Sequence, residues 1–279
     1  MTSIRKADPG SSSMTSPTTL ASIHIYPVKS LGGFSVPDIR LTDRGLEHDR
    51  RWMLIDPDGR FLSQRECQAM ACLHCAAHGN GFRVTDVRNG NTVDVPWSLQ
   101  EAERVKAKVW DDDVDLMLGP AFMHQWFSET LQRPVRLAYM PDSTVRTTDP
   151  TYADVPVALN DGYPSLIISQ ASLDDLNARL GTPVRMDRFR PNFVITGGAP
   201  FQEDDWKTII IGETHFNIVK PCARCVIITT DQRTGERSKE PLRTLATFRS
   251  VGNKVRFGMN ATFAEMGTIH VGVPVQVNA

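Results

Sequence analysis

The stretch KPCARCVIITTD, residues 220–231, places two cysteines three positions apart at the head of a β-branched run. Such a pair can hold zinc, form a redox disulfide or supply one thiolate to another group. A thioredoxin-like redox pair has a helix N-terminus after its first cysteine, whereas a strand is expected to follow here. Arg224 and Lys220 add positive charge that favours deprotonation of a nearby thiol. The pattern therefore favours a single reactive thiolate.

The other cysteines suggest two further kinds of metal site. Cys67, Cys72 and Cys75 match the C-x4-C-x2-C start of a plant-type iron–sulfur site, but the next cysteine is Cys222 and the stretch has no glycine. Pooling Cys72, Cys75, Cys222 and Cys225 gives a four-thiolate zinc pattern, but its gap is about seven times the usual ~20 residues. We therefore expect Cys67, Cys72 and Cys75 to be small buried apolar residues.

The charge and composition of the chain exclude several classes of protein. Its 279 residues include 31 basic and 32 acidic side chains without a lysine or arginine run, which disfavours nucleic-acid and acidic-membrane partners. No apolar run approaches the roughly 20 residues of a membrane-spanning helix. Residues 1–21 lack an apolar signal core and are expected to form a disordered leader. With five cysteines and no secretory signal, we expect a cytoplasmic protein.

The apolar patterning predicts a mainly β, α+β protein with a few helices. Residues 22–28 alternate between apolar and polar side chains, and two hairpins are expected around turns at 56–59 and 89–91. Short strands at this spacing favour a barrel or curved sheet over alternating βαβ units. Residues 141–156 are polar and are expected to form an exposed loop.

Further along, the sequence predicts additional helices and strands. Helices are expected over 121–133 and 240–248, and a third is expected to begin at an N-cap, Ser172, and to end at Gly181. Strands are predicted at 192–198, 206–219, 225–231 and 268–277.

From residue 22 onward the chain resembles the MOSC-domain proteins, and among them the branch of the mitochondrial amidoxime-reducing component and its bacterial relatives. The resemblance rests on the cysteine segment together with five others in the family's order: IYPVKSLGG (25–33), GLEHDRRWMLID (45–56), DGYPSLIISQASLDDLNARL (161–180), DRFRPNFVITG (187–197) and FGMNATFAEMGTIHVGVPV (257–275). It implies a MOSC-type β-barrel at 121–279, preceded by a smaller β-rich N-terminal domain at 22–120.

The resemblance also implies a molybdenum cofactor, a molybdopterin carrying molybdenum, between the two domains. The family's second cysteine ligates the metal and maps to Cys225, which leaves Cys222 as a buried neighbour. A soft thiolate suits this metal. Cations and hydroxyls suit the pterin and its phosphate. The family positions expected to bind the cofactor are Lys29, Ser30, Arg50, Arg190 and Asn192.

Asp161, in the NDGYP motif, matches an acidic residue near the metal in the amidoxime-reducing proteins. The resemblance implies a catalytic role for it, in relaying protons or orienting an oxygen at the metal. The structural alternative is an Asp-Gly turn. Arg65 is a weaker candidate for the same cavity, whereas Phe189, Trp52 and Tyr163 are expected to be packing residues.

The implied activity is reduction of N-hydroxylated compounds to amines by oxygen-atom transfer, with amidoximes, hydroxylamines or N-hydroxylated bases as substrates. Some bacterial relatives carry a C-terminal ferredoxin-like domain, but this sequence ends after the barrel. We therefore expect electrons from a separate ferredoxin-, flavodoxin- or cytochrome b5-like donor with a reductase. Two alternatives remain: a sulfur carrier with a persulfide on Cys225, and a non-catalytic carrier of the molybdenum cofactor.

Overall fold

The computed structural model describes residues 17–278. Most of the predicted leader lies outside these residues, and the first strand begins at Thr19 rather than at residue 22. Mainly β structure with a few helices is confirmed. Within the described residues, no helix combines the length and the apolar character that crossing a membrane requires.

The elements up to residue 140 are short strands and one helix. In chain order they are β1 (Thr19–Ile25), β2 (Phe34–Val36), β3 (Asp38–Thr42), β4 (Gly45–Leu46), β5 (Trp52–Ile55), β6 (Leu73–His78), β7 (Gly81–Asp86), β8 (Thr92–Pro96), β9 (Arg104–Val109), β10 (Asp112–Leu118), α1 (Ala121–Leu131) and β11 (Arg136–Tyr139).

The elements after residue 160 form the larger sheet and its covering helices. They are β12 (Ser165–Ser169), α2 (Gln170–Ala178), β13 (Phe193–Thr196), β14 (Thr208–Ile211), β15 (Thr214–Arg224), α3 (Leu242–Phe248), β16 (Ser250–Val251), β17 (Lys254–Phe263), β18 (Thr268–His270) and β19 (Val275–Asn278). Short 3₁₀ helices lie at Gln68–Cys72, Met186–Arg188, Gln202–Asp205 and Val226–Thr229.

Two small antiparallel sheets form the N-terminal part. One has the order β5-β11-β10-β9 and the other β6-β7-β8. The predicted hairpin around residues 89–91 is confirmed as β7 and β8, and helix α1 is confirmed over the predicted range to within two residues. Trp52, Phe82 and Phe127 are fully buried in the core between these elements. Burial of three large aromatic rings supplies much of the stability of a unit this small.

A nine-stranded sheet forms the C-terminal part. Its order is β19-β14-β15-β17-β12-β13-β1-β2, with β16 paired to β17. Strand β15 pairs with β17 along most of its length, with irregularities between Ile218 and Lys220 and between Pro221 and Ala223. Such bulges bend a strand and re-aim its side chains, and Pro221 has no N–H for the ladder. They occur where β15 reaches the two cysteines of the opening segment.

Four details of the sequence prediction are wrong. The strand predicted at 206–219 is divided into β14 and β15. The strand predicted at 225–231 is a 3₁₀ helix over Val226–Thr229, and the final strand is divided into β18 and β19. Helix α2 begins at Gln170 with Ser169 as its N-cap residue. Ser172 is not the cap because it lies within the first turn of the helix, where it is buried and its hydroxyl donates to the Glu203 carboxylate at 2.7 Å.

Strand pairing joins the two halves of the chain. Strand β1 pairs with β13 and strand β3 pairs with β18, so the N-terminal strands extend the C-terminal structure. In the other direction, β11 pairs with β5 and β10 of the N-terminal sheet. The domain boundary predicted between residues 120 and 121 stays a prediction, and these pairings cross it both ways.

A buried carboxylate lies where the two halves meet. Asp49 Oδ1 accepts a hydrogen bond from the Tyr26 backbone N–H at 2.8 Å. Its Oδ2 accepts from Arg50 Nη1 at 2.5 Å, Asn192 Nδ2 at 3.1 Å and Asn160 Nδ2 at 3.3 Å. A buried carboxylate is stable only when such donors surround it. Asp49 therefore holds four segments of the chain together.

We expect Asp49→Ala to lower the free energy of unfolding by about 3 to 5 kcal/mol, because it leaves Arg50 buried without its carboxylate. Urea denaturation of the purified protein measures this. Asp142→Ala is the matched control: Asp142 pairs with Arg51 at 2.8 Å but its side chain is 87% exposed. Its loss should cost no more than about 1 kcal/mol. Equal losses in the two variants would contradict the role given to Asp49.

Candidate functional site

A cavity of about 210 Å³ opens at the junction of the two halves. Residues from the segment after β1, from the segments before β12 and β13, and from the end of β15 line it. The structure places all seven predicted site residues on its wall: Lys29, Ser30, Arg50, Asp161, Arg190, Asn192 and Cys225. Their chemical roles stay predictions. The weaker candidate, Arg65, also lines the cavity.

The two cysteines of the opening segment both reach this cavity. Cys225 follows the last residue of β15, and Cys222 lies just inside the strand end. Both are half-buried, so the Cys222 side chain is less enclosed than the buried neighbour expected from the sequence. Burial raises the pKa of the Cys222 thiol. The cavity wall therefore carries two thiols that lie in different surroundings.

The remaining cysteines do not contribute to this cavity. Cys67, Cys72 and Cys75 are buried in the N-terminal part, as expected. In the part of the chain that the structure describes, no group of three or more histidine, cysteine, aspartate or glutamate side chains is arranged to hold a metal ion. The zinc and iron–sulfur alternatives therefore lack a ligand set in the described residues.

Asp161 bridges two cations at the edge of the cavity. Lys29 Nζ donates to Asp161 Oδ1 at 2.5 Å, and Arg65 Nη2 donates to Asp161 Oδ2 at 3.1 Å. Lys29 Nζ also donates to the Leu159 carbonyl at 2.8 Å, which fixes the loop that carries Asp161. Arg146 supports the same loop by donating to the carbonyls of residues 158 and 160 at 3.0 and 2.7 Å. The Asp161 carboxylate is therefore held in place from two directions.

The bridge shifts the proton affinities of its members. Burial lowers the pKa of Lys29 to about 8, although the Asp161 charge opposes this shift. Burial alone would raise the pKa of the Asp161 carboxyl, but Lys29 and Arg65 together hold it well below its usual range. Near neutral pH Asp161 is therefore ionised, and Lys29 is the member of the bridge that titrates.

The Lys29 side chain should lose its proton near pH 8, and the ion pair with Asp161 should be present below that pH and lost above it. In Asp161→Asn the midpoint should fall further, because the carboxylate that favours the ammonium form is gone. A titration of the Lys29 ¹³Cε shift by NMR, assigned with Lys29→Arg, measures both midpoints. A wild-type midpoint near the ordinary lysine value would contradict the burial effect.

Two arginines of the cavity share one aromatic ring. The guanidinium carbons of Arg50 and Arg190 lie 4.2 and 4.3 Å from the centroid of the buried Tyr26 ring. Both have left-handed backbone conformations, with φ of 49° and 57°, and so does Ser30, at 67°. Such conformations are uncommon for residues other than glycine and concentrate at functional sites. These three residues line the cavity, whereas the other left-handed residues other than glycine, His48, Trp110, Gln132 and Phe201, do not.

Arg190 and Arg224 lie on the cavity wall, and within residues 17–278 neither has a carboxylate at ion-pair distance. Arg190 Nη1 donates to the Leu31 carbonyl at 2.6 Å, and burial together with the Arg50 charge lowers the pKa of Arg190 to about 10. Arg224 donates to the carbonyls of Phe257 at 2.7 Å and Phe189 at 2.9 Å, and its Nη2 is buried without a partner among the described residues. The cavity therefore carries uncompensated positive charge.

Four polar residues of the cavity wall have no site role in the sequence prediction: Asn160, Arg188, Arg224 and Asn260. Of these, only Arg224 enters the prediction, as a charge near the cysteines. Arg188 pairs with Asp231 at 2.8 Å. The position of Arg224 between the two cysteines is a sequence signal from which a site residue can be predicted. The carbonyls that orient it come from distant segments, which no local pattern reveals.

Asn192 lines the cavity, but its amide is used within the protein. Its Nδ2 donates to the carbonyl of His24 at 3.2 Å and to Asp49 at 3.1 Å, while its Oδ1 accepts from the N–H of Leu166 at 3.2 Å. These contacts connect β1, β12 and the start of β13. The observed contacts are structural, and the cofactor contact implied by the resemblance stays a prediction.

The aromatic residues expected to pack behave in two ways. Trp52 and Phe189 are almost fully buried in the cores. Tyr163 is also buried, but it lines the cavity and its hydroxyl has no hydrogen-bond partner among the described residues. An unpartnered buried hydroxyl is costly unless a further group accepts or donates a bond there.

Comparison with known families agrees with this architecture. The family model of the MOSC domain matches residues 154–276, and that of the MOSC N-terminal beta barrel domain matches residues 17–134. A mainly β chain with a cysteine-bearing cavity between two such parts is a MOSC-domain protein. This chain belongs to the MOSC family.

Its relatives carry two kinds of name. The mitochondrial amidoxime reducing component 2 of Rattus norvegicus is 31% identical over 92% of this chain and 82% of its own length. The human mitochondrial amidoxime-reducing component 1 is also 31% identical, with the same two coverages. The molybdenum cofactor sulfurase of Oryza sativa subsp. japonica is 33% identical over 95% of this chain, but this chain spans only 35% of that protein.

Proposed function

We propose that this chain is a molybdenum-cofactor-dependent enzyme that reduces N-hydroxylated compounds to amines. The observation that carries the proposal is one cavity that combines a reachable thiol, Cys225, with two arginines, Arg190 and Arg224, that have no carboxylate partner in the described part of the chain. The relatives that match most of their own length support the reaction class, because they are named for amidoxime reduction. Small amidoximes, hydroxylamines and N-hydroxylated bases are the proposed substrates.

The residues of the cavity fit an anionic, sulfur-bound cofactor. Cys225 would supply the thiolate to molybdenum, which suits a soft ligand. Arg190 and Arg224 would meet the phosphate, since in the described part of the chain neither has a carboxylate at ion-pair distance. Ser30, held in a left-handed conformation, presents its backbone and hydroxyl at the same wall. The orphaned Nη2 of Arg224 is the clearest sign of a missing anion.

When bound, the molybdenum cofactor would supply the two-electron redox chemistry that removes oxygen from an N-hydroxy group. The protein's own residues supply charge and protons. Lys29 Nζ, with a pKa of about 8, is placed to hold and donate a proton near neutral pH. Because Asp161 stays ionised, we propose that it orients Lys29 and Arg65 and that it does not donate a proton. Electrons would come from a separate donor protein.

Sulfur transfer is the second candidate, and the sulfurase relatives favour it. A persulfide on Cys225 would need the same access to the cavity, and Cys222 lies three residues away on the same wall. A non-catalytic carrier of the cofactor would use the same wall. The enzyme, the sulfur carrier and the cofactor carrier differ in the metal and sulfur that the purified protein contains and in the substrates that it converts.

We expect protein made in a host that synthesises molybdenum cofactor to contain close to one molybdenum per chain, with a releasable pterin. Cys225→Ala should lose the metal or all N-reduction with an artificial electron donor, because the thiolate ligand is gone. Cys222→Ala is the matched cysteine variant and should keep most of both. Mass spectrometry for the metal, and benzamidoxime reduction for the activity, measure these.

Other results would replace the proposal. A cyanide-releasable sulfur with little molybdenum would identify a sulfur carrier. Molybdenum and pterin without turnover of any N-hydroxylated substrate would identify a cofactor carrier. Equal loss in Cys222→Ala and Cys225→Ala would indicate a paired-cysteine site.

A further inference from the structure

Trp110 occupies a position that its side chain does not suit. It is the first residue of the two-residue turn between β9 and β10, and its φ of 57° is left-handed. Glycine or asparagine adopts such a turn position at much lower cost than a bulky residue. The Trp110 side chain is also 43% exposed, so burial does not account for it. A strained and exposed tryptophan needs another reason.

The contacts of Trp110 lead directly to the cavity. The Arg65 guanidinium lies over the Trp110 ring, 4.6 Å from its centroid. The Phe61 ring meets Trp110 edge-on at 5.0 Å, and Lys29 Nζ lies 5.0 Å from the Phe61 centroid. Each cation on an aromatic face gains electrostatic attraction from the ring quadrupole. The Trp110 ring therefore supports Arg65, and the Phe61 ring supports Lys29.

These two cations are the ones that hold Asp161. Arg65 reaches Asp161 Oδ2 at 3.1 Å, and Arg65 and Cys225 line the same cavity. The Arg65 side chain is 26% exposed, and a long side chain at that exposure has several rotamers. Stacking on a fixed ring removes most of that freedom. The ring must stay fixed for this, and the edge-on contact with the Phe61 ring restricts it.

We propose that Trp110 is a positioning residue that acts through Arg65, holding its guanidinium on Asp161 beside Cys225. This inference rests on the proposed function for its catalytic consequence, but the contact itself is independent of it. The strain of the left-handed backbone at Trp110 is the energetic cost of placing an indole ring at that point. Phe61 completes the support from the side of Lys29.

The contact is tested first in cofactor-free protein. Trp110 is the exposed one of the five tryptophans, so the difference in acrylamide quenching between wild type and Trp110→Phe reports on its ring. Arg65→Ala should uncover the ring and at least double the quenching constant of that component. Unchanged quenching would overturn the stacking of Arg65 on Trp110, whatever the activity of the protein.

The catalytic consequence is tested by a double-mutant cycle on the loaded enzyme. Trp110→Ala should lower kcat for benzamidoxime about tenfold with little change in KM, and Trp110→Phe should restore most of it. In an Arg65→Ala background the Trp110→Ala change should have almost no further effect. Phe122→Ala removes an aromatic ring that is 58% exposed on α1 and should change nothing.

Each other result assigns Trp110 a different role. An effect mainly on KM that persists without Arg65 would make Trp110 a direct substrate contact. A loss seen only with a protein electron donor, and absent with an artificial one, would make it a docking residue. Either result overturns the positioning role. If wild type reduces no N-hydroxylated compound while Arg65→Ala still uncovers Trp110, the proposed function fails and the contact stands.

Discussion

The buried carboxylate of Asp49 is the constraint on which the cavity depends. It accepts hydrogen bonds from the residue after β1, from the turn that contains Arg50, from the loop before β12 and from the residue before β13. These are the segments that carry most of the cavity wall. Without a shared acceptor, the donors would be buried and unsatisfied, and the like charges of Arg50 and Arg190 would repel each other. One acidic side chain therefore permits a cationic cavity.

The cations around the cavity are held in two different ways. Lys29 and Arg65 share Asp161 and rest on aromatic rings, so their charge is largely compensated. Arg190 and Arg224 are oriented by backbone carbonyls, which fix a guanidinium without neutralising it. The cavity thus combines a compensated pair, Lys29 and Arg65, with two guanidinium groups that no carboxylate of the described residues neutralises, and one of them, Arg224, directly precedes Cys225. An anionic ligand that also needs a soft thiolate matches this combination.

Much of this architecture is readable from the sequence because local patterns determine local elements. The hairpin of β7 and β8, helix α1 and the family motifs are examples. The features that the sequence fails to predict depend on long-range contacts. Val226–Thr229 has strand propensity but forms a 3₁₀ helix, with Ile228 packed in the core that α2 and α3 cover. Likewise, Arg224 is oriented by carbonyls from Phe189 and Phe257, which no pattern around the cysteines encodes.

Part of the backbone strain in this fold is concentrated at its site, where three of the seven left-handed residues other than glycine in the described chain lie. Ser30, Arg50 and Arg190 are left-handed on the cavity wall, and Trp110 is left-handed behind it. A sequence selected only for stability would place glycine or asparagine at such positions, because both relieve the clash with Cβ. The chain instead keeps side chains that bear charge, a hydroxyl or an indole ring. Their persistence requires the surrounding contacts to exceed the strain, and around Arg50 those contacts converge on Asp49.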